Sequence, residues 1–221
     1  LKTVLKRLEK SPLMSLPPVP NGASKIRVSP GLFAETLRLF LYAPESLART
    51  PGLMRDLAHT EKPGLAERAL TARLLLSGER LAAGFFLSVS CTEDIPYLPK
   101  NLVPLVAGAF GGDYRLRQQI RACAVWPRGQ VSEHRRPIKS GIPTLLLSGE
   151  LDPVTPPSGG DEVLRGLTQG VHVRINNNGH PIGSAGLCIS TMMGAFIDKG
   201  SVGGLDQSCA SKIPEVPFVL P

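Results

Sequence analysis

One stretch limits what this chain can fold into more than any other: Gly141 to Pro157, GIPTLLLSGELDPVTPP. Thr144-Leu145-Leu146-Leu147 is a short apolar run without helical period, and Ser148-Gly149 closes it, which predicts a buried strand meeting a turn. Asp152 follows at once, in a loop that Pro153, Pro156 and Pro157 stiffen by fixing φ and removing amide donors. A carboxylate just past the carboxyl end of a parallel strand sits where open α/β sheets carry out their chemistry. Its natural partner is His180 in INNNGHPIG, 180 − 152 = 28 residues on. Between the two, DEVLRGLTQ reads as a helix and VHVRI as a second strand, so the predicted order is strand, helix, strand.

That pair of residue types has a specific use. A hydroxyl is a weak nucleophile until an imidazole accepts its proton during attack, and the same imidazole then protonates the leaving group. A buried carboxylate fixes the tautomer of the imidazole and stabilises the imidazolium that forms. Asp152 is the candidate orienter and His180 the candidate base. Thr155 could steady the Asp152 loop through its hydroxyl or serve as a simple turn residue. His59 and His134 lack such a setting, and His172, alternating with Val171 and Val173, is expected to point off a strand face.

With 221 residues, 42% hydrophobic and 19% charged, the chain can bury one sizeable core and is unlike a disordered segment. No run of eighteen apolar residues occurs, so no membrane span is expected. A net charge of +7 invites a nucleic-acid partner, but the Lys and Arg are scattered through expected helices instead of clustered beside aromatics, which argues against one. Four cysteines, Cys91, Cys123, Cys188 and Cys209, lie outside any C-x-x-C or Cys/His cluster, so a zinc site is not expected. They allow three disulfide connectivities, with four reduced thiols as the alternative.

Leu1, Val4, Leu5 and Leu8 recur at helical spacing, and the Pro-rich SPLMSLPPVPNG reads as a connector. Ser29-Pro30 is a helix start, with Phe33, Leu37, Phe40 and Leu41 as its apolar face; Thr50-Pro51 repeats the signal ahead of Leu53, Met54 and Leu57. Leu65 to Leu76 continues as helix, making 29–83 all-helical. GFFLSVSC, Gly84 to Cys91, reads as a strand with Glu93 and Asp94 at its carboxyl end; these acids could pair with an ammonium group, or cap the next helix in solvent. Asp113 to Ala124 reads as helix ended by Trp126-Pro127, 133–139 as a solvated approach to the next strand, and Leu187 to Ile197 as a closing helix whose Met192 and Met193 are core filling. The tail IPEVPFVLP reads as extended.

SGELDPVTPP, NNNGHPIG, LSVSCTEDIPYL, ACAVWPRG and CISTMMGAFIDKGSVGGLDQSC together resemble the α/β-hydrolase family, and within it the secreted serine exopeptidases of the tripeptidyl-aminopeptidase and prolyl-aminopeptidase kind. The resemblance covers most of the chain from about Ser29 and implies the carboxyl-terminal part of a parallel sheet with an inserted helical cap, 1–83 as cap and 84–221 as core. It implies a triad Asp at Asp152 and His at His180, a peptide substrate with a free amino end, to which Glu93 and Asp94 could be suited by charge pairing if they do not cap the next helix, no metal or organic cofactor, sequential disulfides Cys91 to Cys123 and Cys188 to Cys209, and an oxidising compartment, secreted, periplasmic or cell-surface. The family's chain order is Ser, Asp, His, and no G-x-S-x-G precedes Asp152. Ser90 in SVSCT is flanked by Ser88 and Thr92 where a tight elbow needs Gly, and Ser184 follows His180 in the wrong order. The expectation is therefore an enzyme piece without its nucleophile, inactive by itself, whose partner is the amino-terminal part of the same enzyme; a start at Leu1 with no visible signal peptide fits a truncated or processed chain. An esterase or lipase on the same scaffold, and a non-catalytic binding remnant, are the alternatives.

Overall fold

The computed structural model describes residues 1–10, 13–15, 26–59, 82–130, 137–180 and 185–219. They fall into two compact units, one of 1–39 with 52–133, the other of 40–51 with 134–221. The expected helix over Leu65 to Leu76, most of 133–139, His134 and Ser184 lie outside the described residues, as does the side chain of His59.

In the first unit, α1 (Lys2–Lys10) buries Val4 and Leu8. The expected connector after it contributes β1 (Leu13–Ser15), which pairs antiparallel with β2 (Ile26–Val28). Helix α2 (Pro30–Phe40) starts as its sequence dictates: Ser29 Oγ accepts the Leu32 amide at 3.2 Å, and Pro30 occupies the first turn, where a missing amide costs nothing. Phe33, Ala34 and Leu37 are its buried stripe. Glu35 on the same helix meets Arg38 and Arg115. Burial is the largest influence on its carboxyl and opposes the charge, but the two guanidinium groups outweigh it and hold the pKa below the ordinary range.

Gly84 to Cys91 is not a strand. Residues Ala83–Val89 form a helix, here α5 (α3 being Pro44–Leu47 and α4 Thr50–His59), which runs on through a π turn over Ser90–Asp94 and a 3-10 turn over Ile95–Tyr97. Phe85, Phe86 and Val89 gave the segment its strand character, yet all three are exposed. Local and tertiary bonds decide instead: Ser88 Oγ donates to the Gly84 carbonyl at 2.8 Å, Trp126 Nε1 donates to Ser88 Oγ at 3.2 Å, and Cys91 is bonded to Cys123. After α6 (Leu102–Val106), helix α7 (Tyr114–Val125) carries Cys123 and ends at Trp126, whose backbone is extended ahead of Pro127.

The second unit holds an α/β element in the expected order. Strand β3 (Thr144–Gly149) runs into helix α8 (Pro157–Leu164) and returns as β4 (Gly170–Ile175), parallel to β3, with Thr144 opposite Gly170 and Gly149 opposite Ile175. Side chains alternate across the ladder with period two. Leu145, Leu147, Val171, Val173 and Ile175 face a core completed by Ala185, Ile189, Met192 and Ala210. Ile189 and Met192 come from helix α9 (Gly186–Lys199), and the Cys188–Cys209 disulfide closes the tail onto that core. Both disulfides are the sequential pairs. The other face of the ladder belongs to α8, whose Asp161 binds both His172 and Arg174.

Candidate functional site

Three stretches of backbone converge beyond the carboxyl ends of β3 and β4. The Glu150 amide donates to the Ile175 carbonyl at 3.0 Å, the Leu151 amide to the Asn178 carbonyl at 2.8 Å, and the His180 amide to the Tyr42 carbonyl at 2.6 Å. Asn177, with φ of 51°, turns the chain after β4 and donates through Nδ2 to the Ile213 carbonyl at 2.9 Å. Glycine is required at two of the crossings for space. A Cβ on Gly149 would collide with the Asn178 and Gly179 carbonyls, and one on Gly179 with the Tyr42 carbonyl. The SGELD and NNNGH motifs thus fold as two halves of one corner, with 42–43 packed against it.

Within that corner Asp152 and His180 meet: His180 Nδ1 lies 2.9 Å from Asp152 Oδ2. The Asp152 side chain is 3% exposed and the His180 side chain 37%. Each carboxylate oxygen has its own set of partners. Oδ1 accepts the Val154 amide at 2.7 Å and the Thr155 amide at 2.9 Å; Oδ2 accepts the Thr155 hydroxyl at 2.7 Å and faces the imidazole. Burial is the strongest single influence on this carboxyl and favours the neutral acid. The Thr155 amide and hydroxyl, the Val154 amide and His180 together outweigh it, so the pKa lies below the ordinary aspartate range and the group is a carboxylate at neutral pH. On its outer side the His180 ring meets Tyr42 edge-on, centroids 5.4 Å apart. Nε2 makes no hydrogen bond among the described residues, so Nδ1 is the nitrogen that the carboxylate holds and Nε2 has no partner among those residues.

Glu93 and Asp94 lie in the other unit, exposed, in the π turn that follows α5. Ser90 is buried in the same turn, helical in backbone, and has no elbow geometry. Among the described residues no group of three or more His, Cys, Asp or Glu side chains could hold a metal ion, and no helix is long and apolar enough to cross a membrane.

Two features escaped the sequence reading. Tyr42 belongs to the segment read as cap but packs in the same unit as the corner, and no local signal ties it to a histidine so distant in sequence. The second is a hydrogen-bonded chain on the α8 face of the sheet, where His172 Nδ1 is 2.9 Å from Asp161 Oδ1 and Nε2 is 2.9 Å from Ser148 Oγ. The expectation that His172 leaves a strand face holds, but the face is covered and the side chain is only 2% exposed. Strand parity and the Gly159-Gly160-Asp161 run were the available clues: a Cβ on Gly160 would lie 2.6 Å from the His172 ring.

Residues 108–209 match the model of the TAP-like protein family, a span that holds both Asp152 and His180. Comparison with curated proteins and with solved structures finds no match in either.

Proposed function

We propose that the chain, whose residues 108–209 match the TAP-like protein family, is the cap and carboxyl-terminal part of a serine exopeptidase of the α/β-hydrolase fold acting on free amino ends, with Asp152 and His180 as two members of its triad. The observation that carries the reading is the 2.9 Å approach of His180 Nδ1 to a buried carboxylate, on a ring that is itself partly exposed. His180 takes the proton of a serine hydroxyl as that oxygen attacks the substrate carbonyl. It then delivers the proton to the departing amine, leaving an acyl-enzyme that water hydrolyses by the same relay. Asp152 accepts the Nδ1 hydrogen throughout and offsets the imidazolium charge.

The serine and the oxyanion-hole amides are assigned to the amino-terminal part of the same enzyme, on a strand–G-x-S-x-G–helix segment. Helices of 1–83 form the cap, and Glu93 and Asp94 attract the substrate's ammonium group by charge pairing. No cofactor takes part. The two disulfides fit an oxidising compartment, secreted, periplasmic or at the cell surface.

The test begins with the DNA upstream of the Leu1 codon, where an in-frame G-x-S-x-G segment is expected. The full enzyme is then assayed on peptide anilides with free and acetylated amino ends, and on aryl esters. Cleavage confined to free amino ends is the expected outcome. Faster turnover of aryl esters, indifferent to acetylation, makes it an esterase instead. A start codon near Leu1 with no such segment upstream overturns the enzyme reading in favour of a binding remnant.

A further inference from the structure

We propose that Thr155 is a positioning residue for the dyad: its single hydroxyl hydrogen is spent on Asp152 Oδ2, so His180 Nδ1 faces acceptors alone and the imidazole is committed to the tautomer with a bare Nε2. The inference rests on the reading of Asp152 and His180 as an orienter and a base.

The hydroxyl has two neighbours within reach and one hydrogen to give. Asp152 Oδ2 lies 2.7 Å from Thr155 Oγ1, and His180 Nδ1 lies 3.3 Å away. A bond to a charged oxygen is roughly twice as strong as a neutral one, so the nearer carboxylate takes the hydrogen. Thr155 Oγ1 then turns a lone pair toward the ring. Nδ1 accordingly lies between two oxygen acceptors, at 2.9 Å and 3.3 Å, and both are satisfied only if the hydrogen of the neutral ring sits on Nδ1. In the opposite tautomer the Nδ1 lone pair would confront a carboxylate oxygen unless Thr155 rotated its hydrogen toward the ring. That rotation would strip Oδ2 of its hydroxyl bond.

Thr155 also fixes the carboxylate plane. Oδ1 is tied to the loop backbone by the Val154 and Thr155 amides, so the Thr155 hydroxyl is the one bond from the loop to Oδ2, the oxygen that faces the imidazole. A β-branched side chain has few χ1 states, which holds that hydroxyl in direction better than serine would. Pro153 and Pro156 on either side restrict the loop that presents it. The double attachment of one residue, amide to Oδ1 and hydroxyl to Oδ2, goes beyond what a turn needs.

The test is nitrogen NMR of the full chain labelled in histidine, recorded in mildly alkaline solution where imidazoles are neutral, with the Asp152 carboxyl carbon followed through acid. In the unaltered chain Nδ1 is expected as the protonated nitrogen and Nε2 as the bare one. Thr155→Val, which keeps the shape and deletes the hydroxyl, should lower the ratio of the two tautomers by about tenfold and move the Asp152 titration upward. Thr155→Ser should stay near the unaltered chain. Should the valine variant not fold, Thr155→Ala compared with Thr155→Ser isolates the same hydroxyl. Unchanged tautomer ratio and carboxyl titration in Thr155→Val, or in Thr155→Ala relative to Thr155→Ser, overturn the proposal. Asp152→Asn separates the two levels of the argument. If it abolishes the tautomer preference while the Thr155 variants do not, the dyad stands and the role of Thr155 falls; if it too leaves the ring unchanged, the dyad reading itself is lost.

Discussion

Two aspartate–histidine pairs stand on the same strand–helix–strand element, and they are inversions of each other. At the corner beyond the strands the carboxylate of Asp152 is buried, 3% exposed, and the His180 ring is 37% exposed. Beneath α8 the ring of His172 is 2% exposed and the Asp161 carboxylate 39%. Nδ1 to carboxylate distances are the same, 2.9 Å in both. The surroundings of the second nitrogen differ. Nε2 of His172 is taken up by Ser148, so all the hydrogen-bonding capacity of that ring joins β3, β4 and α8 together. The Ser148, His172, Asp161 chain has the connectivity of a nucleophile, base and orienter, yet its base is closed to any substrate. Connectivity alone therefore does not make a base available to a substrate; the ring must also be exposed, as that of His180 is and that of His172 is not.

The sharpest way to break that comparison is to remove each histidine in the full-length enzyme proposed above. His180→Ala should lower kcat by roughly 10⁶-fold and Asp152→Asn by roughly 10⁴-fold, the scale seen when the base or the orienter of such a triad is removed. His172→Gln should lower kcat by less than about tenfold and act on the melting temperature instead. Equal losses of kcat from His172→Gln and His180→Ala in folded protein would erase the distinction between the two histidines.

How much of this was readable in the sequence depends on whether a feature is local. The Asp152 loop was legible because everything that shapes it, the apolar run, Ser148-Gly149 and three prolines, lies within seventeen residues. His180 was legible through the Gly before it and the strand before that. Gly84 to Cys91 was misread because phenylalanine and valine favour strands only where a pleated, half-buried surface receives them, whereas here they are exposed and the chain is anchored by Cys123 and Trp126. Tyr42 was invisible for the opposite reason, since a contact of one carbonyl and one ring edge leaves no pattern in composition or period. The buried chain beneath α8 had a trace, the parity of His172 with Arg174 and a Gly-Gly pair before an aspartate, but parity does not reveal which face a helix will cover.

That trace gives a smaller and more local test. Gly160→Ala would set a methyl 2.6 Å from the His172 ring, which sits between two partners and cannot swing away without losing one. Overpacking of this kind costs about 1–3 kcal/mol, and each kcal/mol lowers the melting temperature of a chain this size by roughly 2–4 °C. Gly159→Ala, one residue earlier with nothing within 4 Å, should instead be neutral or raise stability by up to about 1 kcal/mol, the gain in helix propensity. Calorimetry on the two variants separates crowding of the ring from a general effect on α8. If both melt alike, the ring is not clamped there.

The smallest effect is in acid, and it sharpens the comparison from the side of the carboxylates. Asp152 and Asp161 both titrate below the ordinary range. Burial of Asp152 opposes this and is outweighed by Thr155, Val154 and His180; for Asp161 the His172 bond leads, with Arg174 adding to it. A group whose folded pKa is depressed contributes stability that is fully present above its unfolded value, near 3.9, and is lost as pH falls through the folded value. Both therefore stabilise at neutral pH and cease to do so in strong acid. They should differ in salt. The Asp152 bonds are buried and shielded from ions, whereas Asp161 is open to solvent, where screening weakens a pair. Urea midpoints measured from pH 7 down past 4, at low salt and at about 1 M salt, should show Asp152→Asn flattening the acid loss under both conditions. Asp161→Asn should flatten it less, and less again at high salt. A larger or salt-independent effect at Asp161 would mean that the exposed carboxylate is held as firmly as the buried one, and the inversion between the two pairs would no longer separate a site from a clamp.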